Sequence, residues 1–209
     1  MEPFPFSHSL IDLPDSLWNL PVISLAHPDL ADRRAMAAHV RAVRATSPSG
    51  IVWGGYLEKR FIYSSSPSFL EAGQPRDIHL GIDIFADADS RILAPLDGRV
   101  HSFADNFGES NYGPTIILEH DGPQGAFHTL YGHLSRASLE RLVEGMAVTG
   151  GEILGELGDE RVNGNWPPHL HFQVIVDMEH WRGDYPGACS EAKLEWYMEN
   201  CPDPMEFMA

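Results

Sequence analysis

From His79 onward the chain is a succession of short apolar runs broken by Gly, Pro and Asp, with no intervening helix long enough for a parallel crossover. The runs fall at residues 81–85, 91–94, 98–103, 115–119, 127–131, 153–157 and 170–176, and they are rich in Ile, Val, Leu, Phe and Tyr. Parallel strands need a crossover of about a dozen residues or more, usually a helix, whereas antiparallel strands close through tight turns. Leu96-Asp97-Gly98, Asp121-Gly122-Pro123 and Thr149-Gly150-Gly151 supply such turns. A mainly β fold built on an antiparallel sheet is therefore expected here.

The first 75 residues read differently. Helix formers dominate 30–43, where Leu30, Met36, Val40 and Val43 recur near helical spacing before Thr46-Ser47-Pro48-Ser49-Gly50 ends the run. Segments 51–57 and 60–63 read as strands. A short helix fits 138–142 and a last one 191–198. The expected organisation is an N-terminal α/β extension over 1–75, a β-rich domain over 76–178 and a C-terminal segment over 179–209.

With 43% hydrophobic residues in 209, the chain has enough apolar material for a core. A formal charge of −16 sets up a field that repels nucleic acid and anionic surfaces, so neither is expected as a partner. The opening Met1-Glu2-Pro3-Phe4-Pro5-Phe6 lacks the basic start and apolar stretch of an export signal, and no apolar run approaches a membrane span. A cytoplasmic location is the expectation, with Cys189 and Cys201 as ordinary thiols rather than a zinc pair.

Two phrases carry metal chemistry: His79-Leu80-Gly81-Ile82-Asp83 and His169-Leu170-His171. On a strand, residues two or four apart share a face, so His79 would lie with Asp83 and His169 with His171. Leu80, Ile82, Ile84, Leu170 and Phe172 would then face the opposite way. Two imidazoles and one carboxylate can hold zinc with a fourth position open to water, and at this level either histidine of the second phrase can serve. Gly81 permits close approach of another group, and the prolines of Trp166-Pro167-Pro168 stiffen the loop delivering His169. Among the other histidines, His101, His120 and His128 read as surface or groove-lining, and His8, His27, His39 and His180 as solvated. Trp53, Tyr56 and Tyr63 read as core.

These two phrases, with Ala94-Pro95-Leu96-Asp97-Gly98-Arg99-Val100, Tyr131-Gly132-His133-Leu134 and the glycine-centred run 144–155, resemble in order and spacing the M23, or lysostaphin-like, zinc metallopeptidases. The resemblance covers roughly 76–178. It implies one zinc ion held by His79, Asp83 and His171, with His133 and His169 as unligated catalytic histidines. It also implies antiparallel sheets forming an open groove above the metal, and a peptide or small amide as substrate. In such a site the metal activates a water and polarises the carbonyl, while the two histidines move protons. The segment after the core, with 183–187 and 201–204, resembles the M23-like region of bacterial proteins that join such a domain to a sugar-kinase-like phosphotransferase and a class III aminotransferase.

The loop before the last motif departs from the family's small-residue pattern: Asp159-Glu160-Arg161-Val162-Asn163-Gly164-Asn165-Trp166-Pro167-Pro168. Trp166 and Arg161 on this loop suggest a different or narrower substrate. Three functions are therefore carried forward. They are a zinc peptidase, with peptidoglycan-derived peptides among its candidate substrates, a hydrolase of a small cytosolic amide, and a metal-binding scaffold whose groove is covered by residues 1–75.

Overall fold

A computed structural model of the chain describes residues 5–12, 16–71 and 73–208. Met1–Phe4, the start of the segment read as lacking an export signal, lie outside the described residues. The strands in chain order are β1 (Val52–Gly54), β2 (Leu70–Glu71), β3 (Gln74–Pro75), β4 (Ile78–His79), β5 (Ile82–Phe85), β6 (Arg91–Leu93) and β7 (Gly98–Asn106). They continue as β8 (Gly113–Gly122), β9 (Gly125–Gly132), β10 (Ala147–Val148), β11 (Ile153–Glu156), β12 (His169–Ile175) and β13 (Ala188–Cys189). The two α-helices are α1 (Arg33–Arg44) and α2 (Leu194–Asn200).

The central element is a seven-stranded sheet in the order β1-β5-β12-β9-β8-β7-β10, antiparallel throughout. This is the mainly β architecture that the turn pattern implies. Strands β7, β8 and β9 form a meander because each turn is short enough to reverse the chain directly. β12 then returns between β5 and β9, which sets His171 opposite Asp83 on one side and Gly132 on the other.

Alternation sorts the side chains onto two faces. Ile82, Ile84, Ile116, Leu118, Tyr131, Leu170, Phe172 and Val174 enter one large cluster. Both ends of the chain cover that cluster: Phe6, Leu10 and Ile11 from one end, Met205 and Phe207 from the other. The backbone amide of Phe6 donates to the carbonyl of Phe207 at 2.6 Å, and the Phe6 ring meets the edge of Phe172 at 5.9 Å. The other face carries two smaller clusters. One joins Val52, Phe85 and Trp166 to Ile23, Leu25, Met36, Val40, Ile62 and Tyr63; the other joins Ile117, Leu130 and Ile175 to Leu80, Tyr185 and Cys201.

The residues before β2 thus add an edge strand to the sheet and a layer over its second face. Helix α1 begins where the Asp32 carboxylate accepts from the amides of Arg34 and Ala35, a regular N-cap. Met36 and Val40 are its buried residues. The segment read as a strand at 60–63 is instead a 3-10 helix, Phe61–Ser65. Its apolar residues are consecutive rather than alternating, and Ile62 and Tyr63 both reach the same cluster only if the backbone coils.

His79 does not share a strand with Asp83, contrary to the spacing argument: the chain leaves β4 at Leu80 and re-enters pairing as β5, and β4 pairs with β13 outside the main sheet. Leu80 accordingly packs with Ile117 and Leu130 rather than with Ile82 and Ile84. His120 and His128 are buried, not superficial; His120 bridges the Asp97 carbonyl at 2.8 Å and the Thr129 hydroxyl at 2.7 Å. Both cysteines are free and buried. No helix among the described residues is long and apolar enough to cross a membrane.

The Phe172 ring packs against Phe6, whose own ring stacks on Phe207 at 5.6 Å, so Phe172→Ala leaves a cavity beneath the contact between the two ends. It is expected to lower unfolding free energy by about 3–5 kcal/mol, measured by urea denaturation with an unchanged m-value as the sign of an intact native state.

Candidate metal centre

The site lies on the second face of the sheet, where β5, β12 and β9 meet the turn after β4. His79 Nε2, Asp83 Oδ1 and His171 Nδ1 approach within 4.8 Å of one another. His79 Nε2 is 2.8 Å from His171 Nδ1 and 3.3 Å from Asp83 Oδ1, and His171 Nδ1 is 3.2 Å from Asp83 Oδ1. Gly81 makes this convergence possible, because a Cβ there would collide with the Phe172 carbonyl and sit 2.9 Å from the His171 ring.

Hydrogen bonds behind the cluster decide which atoms face inward. His79 Nδ1 lies 2.8 Å from the Gly55 carbonyl, which only accepts, so Nδ1 carries the hydrogen and Nε2 a lone pair. Gln173 donates its amide nitrogen to the Pro186 carbonyl, leaving its oxygen 3.0 Å from His171 Nε2. That nitrogen therefore carries the hydrogen, and His171 Nδ1 also presents a lone pair. Two nitrogen lone pairs and a carboxylate oxygen then crowd together with no hydrogen between them. A cation relieves this repulsion, and two imidazoles with a carboxylate are a zinc-type donor set.

The second oxygen of Asp83 accepts from Arg60 Nη1 at 2.6 Å. Arg60 is itself buried, clamped by Glu58 Oε2 at 3.0 Å and by the Tyr63 hydroxyl at 3.0 Å. Glu58 in turn accepts from the Ser24 hydroxyl and the Leu25 amide. Gly55, at φ +104°, gives the guanidinium its space; a Cβ there would strike Arg60. A continuous hydrogen-bond chain thus runs from residue 24 to the carboxylate at the centre. None of its members stands out in the sequence, since a lone Arg in a polar stretch carries no signal until the fold buries it.

His133 and His169 flank the cluster with their rings 4.2 Å apart. His133 Nδ1 donates to the Asn163 carbonyl at 3.0 Å and His169 Nδ1 to the Pro167 carbonyl at 2.7 Å, so each keeps Nε2 as an acceptor. The loop before His169, expected to be stiff, supplies both carbonyls. His133 reaches the site only through a left-handed backbone, φ +64°, immediately after β9. Continued extension would have sent its side chain to the Tyr131 face, so the site stores backbone strain of about 1–3 kcal/mol. Tyr112 stands next to them, its hydroxyl 3.3 Å from His171 Nε2, in space left by Gly132 and Gly187.

Burial decides the protonation states. Desolvation, reinforced by Arg60, lowers His79 to about 4. Desolvation also lowers His169, and it holds His133 well below its ordinary value, with His169 and His171 adding to the effect. For Asp83, burial would raise the carboxyl, but His79 and Arg60 outweigh it and hold the group well below the usual carboxylate range. His79, His133 and His169 are thus held neutral and the Asp83 carboxylate charged, as ligation and proton acceptance require.

The five residues are at most 5% exposed and open onto one cavity of about 220 Å³. Its walls include Leu25, Met36, Tyr63 and Phe69 from the N-terminal layer, Trp166 from the last-motif loop and Tyr185 after β12. An open groove, as the resemblance implied, is therefore corrected to a walled pocket. Arg33 lies over the Trp166 ring at 4.3 Å and bonds the Asn165 carbonyl and Ser110 hydroxyl, tying α1 to that loop. Arg161 takes no part: it is exposed and paired with Asp159.

The model of peptidase family M23 matches residues 77–182, half of the chain, and the chain belongs to that family. Similar solved structures include the catalytic domain of the antimicrobial peptidase lysostaphin from Staphylococcus simulans, at 25% identity over 60% of this chain and 81% of that one, TM-score 0.40. The catalytic domain of the prophage-encoded M23 protein EnpA from Enterococcus faecalis, in a mutant form, is similar at 24% identity over 56% of this chain and 85% of that one, TM-score 0.40. A zinc-containing peptidase from Vibrio cholerae is similar at 24% identity over 53% of this chain but only 30% of that one, TM-score 0.39. No curated protein matches the chain.

Two outcomes follow from this geometry. Arg60→Met removes the donor that orients Asp83, and zinc affinity, read by competition with a chromogenic chelator, is expected to fall about 10- to 100-fold. Stability should depend on pH through His79 and His128, both lowered to about 4, chiefly by burial. A histidine lowered in the folded state takes up its proton first when unfolded, so its contribution is full above about pH 6.5 and is lost as pH falls toward the folded value. Urea midpoints of the metal-free protein at stepped pH should therefore decline through that window, by at most about 1.4 kcal/mol per pH unit for each histidine.

Proposed function

We propose that this chain is a zinc-dependent peptidase that hydrolyses an amide bond of a peptide, with His79, Asp83 and His171 holding the metal. The observation that carries the reading is the convergence of three acceptor atoms beside two further neutral imidazoles on one cavity. When bound, zinc supplies a Lewis acid that polarises the scissile carbonyl and eases deprotonation of a water.

The chain's own groups do the rest. His133 and His169 present Nε2 as proton acceptors, and their Nδ1 bonds to backbone carbonyls stabilise each ring in that tautomer as it becomes charged. The water oxygen forms the new bond to the carbonyl carbon, the carbon–nitrogen bond breaks, and the proton taken by imidazole is returned to the leaving nitrogen. The products are a carboxylate and an amine. The apolar side chains of Leu25, Met36, Phe69 and Trp166 on the cavity wall lower the local polarity, which strengthens each electrostatic contact during the reaction. Membership of family M23 makes peptides the substrate class, with peptidoglycan-derived peptides the natural set to test.

His133→Ala should keep zinc at full occupancy while hydrolysis falls by about 10²- to 10⁴-fold, the usual worth of a positioned proton carrier. Asp83→Asn should instead lose the metal. Metal analysis alongside peptide-cleavage assays separates the two; full zinc in Asp83→Asn would remove that residue from the ligand set.

A further inference from the structure

Within the same cavity, two charged side chains are left out of the metal centre. Arg76, between β3 and β4, and Asp184, in the segment after β12, both line it. Arg76 is half-buried, yet among the described residues no carboxylate lies within ion-pair distance of it. Its Nη2 donates to the Ser68 carbonyl at 3.1 Å, and its Nε is buried without a hydrogen-bond partner. A guanidinium so placed has donors to spare and matches a carboxylate bidentately. Asp184 is near enough to influence Arg76 without pairing to it, and its Oδ1 is already engaged by the Tyr185 amide at 2.8 Å. Tyr112, in contact with His171, lies in the field of both. The charged wall and the metal centre therefore border the same small space.

Two extended residues span roughly 7 Å, a length that a cavity of about 220 Å³ accommodates between the charged wall and the metal centre. We propose that Arg76 is a carboxylate-anchoring residue, and that the site takes short peptides by their free C-terminal end. The scissile carbonyl is thereby set over the metal centre at a fixed small distance from that end. The proposal rests on the peptidase reading for its chemistry but not for its binding.

The test uses the full zinc-loaded chain and a set of di- and tripeptides, each prepared as the free acid and as the C-terminal amide. Cleavage is followed by amine release and binding by calorimetry. Free acids should be favoured about tenfold or more in kcat/KM and in affinity. In Arg76→Gln the preference should vanish with zinc content unchanged, and Arg76→Lys should restore part of it. Equal handling of acids and amides by the unaltered chain, or a preference that survives Arg76→Gln, overturns the proposal. So does equally good binding of amides carrying an internal Asp or Glu, or no binding by either series. Selective binding of acids without cleavage leaves the anchor in place and removes the peptidase reading instead.

Discussion

The arrangement of the site depends on one buried carboxylate. Asp83 presents one oxygen to two imidazole lone pairs and gives the other to Arg60. A charge this deep would be prohibitively desolvated alone, and a buried guanidinium equally so; each is tolerated because the other is within hydrogen-bond distance. The pair also joins the two parts of the chain. Asp83 sits on β5 of the main sheet, whereas Arg60, Glu58 and Gly55 come from the segment that adds β1 to the sheet edge.

That coupling explains why the N-terminal layer is built as it is. Gly54 lies opposite Asp83 in the register, where a Cβ would collide with the Ile23 carbonyl. One residue later, Gly55 turns to leave room for Arg60 while its carbonyl fixes the His79 tautomer. The layer thereby supplies two of the hydrogen bonds that orient the donor atoms, and its aromatic residues wall the cavity above them. Stability and chemistry draw on the same contacts, so strain such as the left-handed His133 is held in place by packing it does not itself favour.

Much of the fold could be read in advance, because short alternating runs with Gly and Asp turns admit few arrangements other than an antiparallel sheet. The helix at α1 was equally legible from its spacing and its run of helix formers. The 3-10 helix at Phe61–Ser65 was not, since a three-residue apolar run is compatible with strand or coil until its neighbours are placed. Buried His120 was missed for a related reason: its imidazole is accommodated in the core because the Thr129 hydroxyl and the Asp97 carbonyl await it, partners that only the folded sheet supplies.

At the site, His79, Asp83, His169 and His171 stood out because metal-capable side chains at strand spacing are chemically conspicuous, whereas His133 stood out only through the resemblance carried by Tyr131-Gly132-His133-Leu134. Their identities and order were determined by the sequence alone, and so was the antiparallel character of the sheet that carries them. Tertiary structure decided the rest: that His79 comes from a separate strand, that Arg60 rather than solvent holds Asp83, and that the groove is a walled pocket. Those outcomes depend on burial and on contacts between residues far apart in the chain. A local pattern encodes which side a residue faces, but not what will be folded down upon it.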